Sequence, residues 1–219
     1  MARKVSERLS TADVARYEAT RYKGDQKLIN QREQKIVREL LHRAAGGRTD
    51  LRALDIPCGF GRFTPAMVEV AGWLVDFDRS DSMATRARDR ATAAGADRPG
   101  FGVADIRALP FREASFDVVL SMRLLHHLSK EEDRAAMFRE LHRVTRGHVV
   151  ISYYDRSPLH RAHRALTGIV KPSRRIPLFF FGTRRFKREA AAAGLETLEV
   201  RSPIPALHAQ RIALLRRAS

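Results

Sequence analysis

Between Thr11 and Ala45 the apolar residues recur at helical spacing, with Leu28, Ile29, Ile36, Val37, Leu40 and Leu41 forming one stripe that Gly46 and Gly47 stop. Two helices are predicted there. One starts near Ser10–Asp13, where the serine-to-acid spacing suits free helix-terminal amides, and the other near Asp25. Beyond them the pattern changes to short apolar runs: LRALDI (51–56), WLVDFD (73–78), FGVADI (101–106), FDVVLSM (116–122) and HVVISYY (148–154). Runs of this length, apolar on both faces, read as buried parallel strands. Helical stretches separate them at 62–71, 80–94 and 129–145, the last opened by Ser129 with Glu132 in capping-box spacing. Alternation of this kind predicts an α/β sheet with helices on both faces.

Past Tyr154 the rhythm breaks. Residues 156–182, RSPLHRAHRALTGIVKPSRRIPLFFFG, are too many for an ordinary connection and are expected to form an insertion or lid. A helix is predicted over 183–194, ended by Gly194, followed by strands at 195–200 and 206–216 that close the sheet edge as an antiparallel hairpin. With no repeat and no long linker, the expected organisation is a single domain over 1–219: a helical cap (1–47), a core (48–155), a basic insertion (156–182) and a C-terminal helix and hairpin (183–219).

Composition narrows the class. A chain of 219 residues, 44% hydrophobic and 30% charged, carries one sizeable core and is neither fibrous nor disordered. A lone cysteine, Cys58, excludes an internal disulfide and a Cys-x-x-Cys metal clip, so no metal is expected. The polar N-terminus shows no signal peptide, and no apolar run approaches the ~20 residues that span a bilayer. A cytoplasmic location follows as the expectation. The net charge of +16 is uneven: +5 over 1–50, +1 over 51–150 and +10 over 151–219. Such asymmetry suits an anionic partner, whether RNA, an anionic lipid surface or a phosphorylated substrate, and equally suits an arginine-loaded solvated face.

The chemistry gathers at the strand ends. Asp55-Ile56-Pro57-Cys58-Gly59-Phe60-Gly61 is a glycine turn from strand to helix, of the kind that lets backbone amides approach a ligand. Thr64 stands where a dinucleotide fingerprint has its third glycine, which weakens a nicotinamide reading. Asp78, 17 residues past Gly61, is placed to accept from both ribose hydroxyls of a nucleoside, the competing role being a cap for the helix near Ser80. Asp76 is expected on the other side of the strand, as the weaker candidate. Asp105 closes the third strand, placed to accept from an adenine amine while Ile106 covers the ring. Three acids beside one glycine turn outline an adenosine pocket.

The segments ALDIPCGFGRF, VDFDRSDSM, VADIRALPF, SFDVVLSMRLLHHLS and FRELHRVTRGHVVIS, in this order and spacing, resemble the class I S-adenosylmethionine-dependent methyltransferases, in particular the small type 11 methyltransferase domains. The resemblance covers roughly residues 50–155 and implies a Rossmann-like seven-stranded sheet with S-adenosyl-L-methionine as cofactor. It implies that Asp55, Pro57, Cys58, Gly59 and Gly61 hold the methionine part, Asp78 with its neighbour Arg79 the ribose, and Asp105 with Ile106 the adenine, Met122 bordering the sulfonium. Pro57 replaces the first glycine of the family's turn, and Cys58 is read as a packing residue. His126 and His127 are the candidate base or acceptor-orienting groups, with Tyr153 and Tyr154 at the end of the fifth strand able to orient the acceptor. Recognition is expected from Tyr17, Arg21, Tyr22, His160, His163 and Phe179–Phe181. A small-molecule acceptor, apolar, quinone-like or held near an anionic membrane, fits the mixture of Arg with apolar residues. The alternatives are an RNA substrate, disfavoured by the absence of an Asp/Asn-Pro-Pro-Tyr segment after the fourth strand, and a catalytically silent scaffold.

Overall fold

The computed structural model describes residues 26–155, 179–180, 182–205 and 208–218. The predicted helix before Asp25, most of the 156–182 insertion, and Tyr17, Arg21, Tyr22, His160, His163 and Phe181 lie outside the described residues. The elements are α1 (Gln26–Ala45), β1 (Leu51–Asp55), α2 (Thr64–Val68), β2 (Ala71–Asp78), α3 (Asp81–Ala93), β3 (Gly100–Val103), β4 (Phe116–Ser121), α4 (Glu131–Val144), β5 (Thr145–Tyr154), α5 (Thr183–Ala192), β6 (Leu195–Arg201) and β7 (Gln210–Arg217).

Seven strands form one sheet in the order β3-β2-β1-β4-β5-β7-β6. β7 runs antiparallel between β5 and β6, so the closing hairpin lies on the edge as expected. Alternate residues of each strand feed two cores. On one face Ala53, Leu74, Val118, Leu120, Val150 and Leu214 meet Val37, Leu40 and Leu41 of α1 and Met67 of α2. On the other, Leu54, Val119, Val149, Ile151 and Tyr153 meet Met137, Phe138 and Leu141 of α4 and Phe186 and Ala190 of α5. Burial on both faces explains why the central strands read as unbroken apolar runs. No helix among the described residues is long and apolar enough to cross a membrane.

Several boundaries differ from the sequence pattern. The helix expected over 62–71 is the five-residue α2, because β2 reaches back to pair Ala71 with Leu51. The Ser129 capping box does not form. Lys130 is the N-cap of α4, without a side-chain cap, while the Ser129 carbonyl accepts from the Arg134 guanidinium at 2.8 Å. β3 ends at Val103, so Asp105 lies on a short bridge to Ala108 beyond the strand proper. Strand order reverses between β1 and β4, and the crevice where their carboxyl ends diverge is the place this architecture offers a ligand.

Candidate active site

β1 delivers Asp55 to that crevice, and the following turn is fixed by backbone bonds from Ile56 N–H to the Leu120 carbonyl and from Cys58 N–H to the Phe77 carbonyl, both 2.9 Å. The Ile56–Pro57 peptide is cis. Gly59 and Gly61 have φ of +54° and +78°, the left-handed region that glycine occupies without strain. Their surroundings differ. A Cβ on Gly61 would lie 2.8 Å from the Ala87 Cα and 2.9 Å from the Thr64 hydroxyl, so this glycine lets α3 pack onto the turn. A Cβ on Gly59 meets nothing within 4 Å, so its exposed side faces open space. Cys58 packs with Ala84 and Ala87, and burial, then the Asp55 carboxylate, push its thiol well above the usual range. A thiol so held is packing, not a nucleophile.

Asp78 is bonded on both carboxylate oxygens by backbone amides. Its Oδ2 accepts from Gly59 N–H at 3.0 Å and its Oδ1 from Ser80 N–H at 2.9 Å, tying the turn to the start of α3. Each carboxylate oxygen keeps a further lone pair for a hydroxyl donor. Burial raises its pKa, and the bonds from Ser80 and Gly59 pull against that rise.

Asp76 requires a correction. Residues two apart on a strand share a face, so it points the same way as Asp78, and it is the register partner of Asp55. Asp55 and Asp76 are 1% and 0% exposed, and neither carboxylate has a hydrogen-bond partner among the described residues. Burial, reinforced by Asp76 and Asp78, lifts Asp55 well above the carboxylate range, and burial pushes Asp76 up to about 7. No group of three or more His, Cys, Asp or Glu residues arranged to hold a metal ion occurs among the described residues.

Asp105, expected to meet an adenine, is more constrained than the sequence suggests. Arg107 grips Asp105 through Nε at 3.0 Å and Nη2 at 2.6 Å, and its own N–H reaches the same carboxylate at 3.0 Å. Those bonds hold Asp105 below its ordinary pKa against burial. A purine amine would have to use its remaining lone pairs. Ile106 is buried, Met122 is buried just past β4, and Arg79 is exposed.

Beyond β4, a short turn (Leu125–His127) carries both histidines, their rings 4.1 Å apart. Tyr154 meets the buried His126 edge-on at 4.6 Å, and the His126 carbonyl accepts from Phe179 N–H at 2.8 Å. Tyr153 is not part of this wall. It lies on the opposite face, fully buried, stacked on Phe186 at 4.0 Å, its hydroxyl bonded to Thr183 at 3.0 Å, which in turn donates to Asp155 at 2.8 Å. Burial pushes that hydroxyl up to about 12. Strand alternation thus makes Tyr153 a core residue and leaves Tyr154 beside the histidines.

The family profile described as "Methyltransferase domain" matches residues 54–151. Among curated relatives, 27-O-demethylrifamycin SV methyltransferase of Amycolatopsis mediterranei is 39% identical over 97 residues, 43% of this chain and 35% of that protein. Malonyl-[acyl-carrier protein] O-methyltransferase of Erwinia pyrifoliae is 34% identical over 161 residues, 73% of this chain and 57% of that protein. The chain therefore spans less than two thirds of either relative's length. In fold it is similar to magnesium protoporphyrin IX methyltransferase from Synechocystis PCC 6803 with bound SAH, at TM-score 0.75 and 18% identity, covering 94% of this chain and 95% of that one. With the sheet order, the glycine turn and the acidic strand ends in place, residues 54–151 match the methyltransferase domain family, and that match lies in the core that carries the crevice.

Proposed function

We propose that this protein transfers a methyl group from S-adenosylmethionine to an oxygen of a small-molecule acceptor that sits against the His126–Tyr154 wall. The residues fit the cofactor: Gly59 opens onto free space, Asp78 has lone pairs for ribose hydroxyls, and the buried Asp55 and Asp76 are a pair whose ionisation an arriving cation would favour. When bound, the cofactor supplies an electrophilic methyl group on sulfur. The remaining work falls to the chain's own side chains. In this reading His126 and His127, whose rings lie 4.1 Å apart, take the acceptor's proton. Tyr154 orients the acceptor, and Phe179 and Phe180 flank this wall against water. Oxygen is favoured over nitrogen as the acceptor atom because one curated relative above is named an O-methyltransferase and the other is named for a 27-O-demethyl substrate.

One observation carries the reading: a glycine turn at the sheet's switch point, held by the carboxylate of Asp78. Calorimetric titration with S-adenosylmethionine and with S-adenosylhomocysteine tests it, comparing the parent with Asp78→Ala. Micromolar binding is expected, weakened in the variant by ~2–4 kcal/mol for two lost bonds to a charged group. Absence of binding by the folded parent, with NAD(H) as control, would overturn it and favour a scaffold role.

A further inference from the structure

Glu33 lies on α1, in a stretch whose neighbours are mostly exposed, yet it is 0% exposed itself. Its carboxylate accepts from Arg62 Nη1 at 2.6 Å, from Arg123 through Nε at 3.1 Å and also through Nη2, and from Gln210 Nε2 at 2.5 Å. Asn30, nearly one turn earlier on the same helix, accepts from Arg62 at 2.6 Å. The donors come from three separate places. Arg62 follows Gly61 of the glycine turn, Arg123 follows Met122 at the end of β4, and Gln210 opens β7.

Arg123 adopts left-handed backbone at φ +59°, a conformation that costs a non-glycine residue energy and persists only where its surroundings enforce it. Its N–H donates to the Ser152 hydroxyl of β5 at 2.7 Å, and its guanidinium is held by Glu33. A buried ion cluster of this kind is a poor source of stability compared with apolar side chains of equal volume. What it supplies is a fixed geometry. Burial opposes the charge on Glu33, but Arg62 and Arg123 outweigh it and hold the carboxyl at about 2, so the clamp stays charged at any working pH.

We propose that Glu33 is a positioning residue for the cofactor: by gripping Arg62 and Arg123 together it sets the distance between the glycine turn and the Met122 rim, and it makes cofactor affinity depend on α1 being docked. The inference rests on the crevice being the S-adenosylmethionine site. Linkage makes the dependence reciprocal, so cofactor binding holds α1 down as firmly as α1 holds the cofactor site.

The test compares Glu33→Gln with Glu189→Gln. Glu189 grips the buried Arg134 between α4 and α5, on the opposite face of the sheet, and so controls for the loss of a buried ion pair. Both variants are expected to lower the midpoint of thermal unfolding. Only Glu33→Gln is expected to raise the dissociation constant for S-adenosylhomocysteine, by tenfold or more, and to abolish the slowing of amide exchange over residues 33–45 that the ligand produces in the parent. If Glu33→Gln does not fold, Arg123→Met, which keeps the Glu33–Arg62 pair, is expected to weaken binding in the same direction. Dissociation constants within twofold of the parent for Glu33→Gln, or for Arg123→Met in its place, would show that the cluster is structural only. A folded parent that binds no S-adenosylhomocysteine overturns the cofactor reading itself, and this inference with it.

Discussion

Burying two carboxylates side by side, as Asp55 and Asp76 are, is unfavourable unless one of them keeps its proton or a cation arrives. Burial raises Asp76 from 3.8 to about 7, so over that interval the folded chain keeps a proton that the unfolded chain has released. The stability contributed by this residue is therefore complete below pH 3.8, declines as the pH rises, and is lost above about 7. Asp76→Asn removes the ionisation. With each unit worth about 1.4 kcal/mol, it is expected to stabilise the ligand-free protein by a few kcal/mol at pH 8 and hardly at all at pH 4. Thermal unfolding at the two pH values checks this, and an equal shift at both would refute it. Because the sulfonium carries one positive charge more than its demethylated product, the same variant is expected to narrow the preference for S-adenosylmethionine over S-adenosylhomocysteine in titrations at pH 8. Asp78 and the glycine turn are legible in the sequence because their geometry is local: a strand end, a glycine pair and an acid at fixed spacing. Glu33 is not legible, because its partner Gln210 lies 177 positions away and nothing in a polar helix marks one glutamate as buried.

At the scale of elements, the same glycine turn separates two functions that its sequence shows as one motif. Gly61→Ala would drive a Cβ into α3 at a left-handed φ of +78° and is expected to destabilise the fold by about 2–4 kcal/mol. Gly59→Ala meets no neighbour, so its cost is the left-handed backbone alone, about 1 kcal/mol, with the larger effect expected on cofactor affinity. Paired measurements of unfolding midpoint and of S-adenosylhomocysteine binding distinguish the two, and a reversed order would mean that the ligand approaches from elsewhere. The strands themselves are readable from their apolar runs, whereas the facing of individual residues is not. HVVISYY is apolar on both sides, so no polar alternation shows that Tyr153 packs on Phe186 while Tyr154 turns toward His126. The start of α4 departs from its capping spacing for a related reason. Arg134 draws the Leu128 and Ser129 carbonyls to its guanidinium, a contact that capping spacing alone does not encode.

For the molecule as a whole, the uneven charge is plain in the sequence, but its distribution over the surface is decided by pairing. In the C-terminal third Arg185 pairs with Glu189 and Glu131, Arg201 with Glu39 and Glu199, Arg216 with Glu196 and Arg217 with Glu113. Arg211 donates to the carbonyls of His208 and Gln210. Among the described residues of α5, by contrast, Arg184, Lys187 and Arg188 are exposed at i, i+3 and i+4 spacing, on one side of the helix, with no ion pair to any described residue. Thr183, at the head of this helix, is bonded to Tyr153 and Asp155 at the end of β5, which places the cations close to the carboxyl edge where the acceptor would enter. We propose that this face meets an anionic lipid surface. The protein is then expected to sediment with phosphatidylglycerol vesicles, and a variant with all three residues changed to Glu is expected to lose that binding by about 10–100-fold, each cation near such a surface contributing ~1 kcal/mol. Raising the salt should weaken the parent's binding and leave the variant's residual binding nearly unchanged. A parent that ignores vesicles at physiological salt, yet shifts RNA with a steep salt dependence, would transfer the face to a nucleic-acid partner, since counterion release from a phosphate backbone is the signature of that interaction.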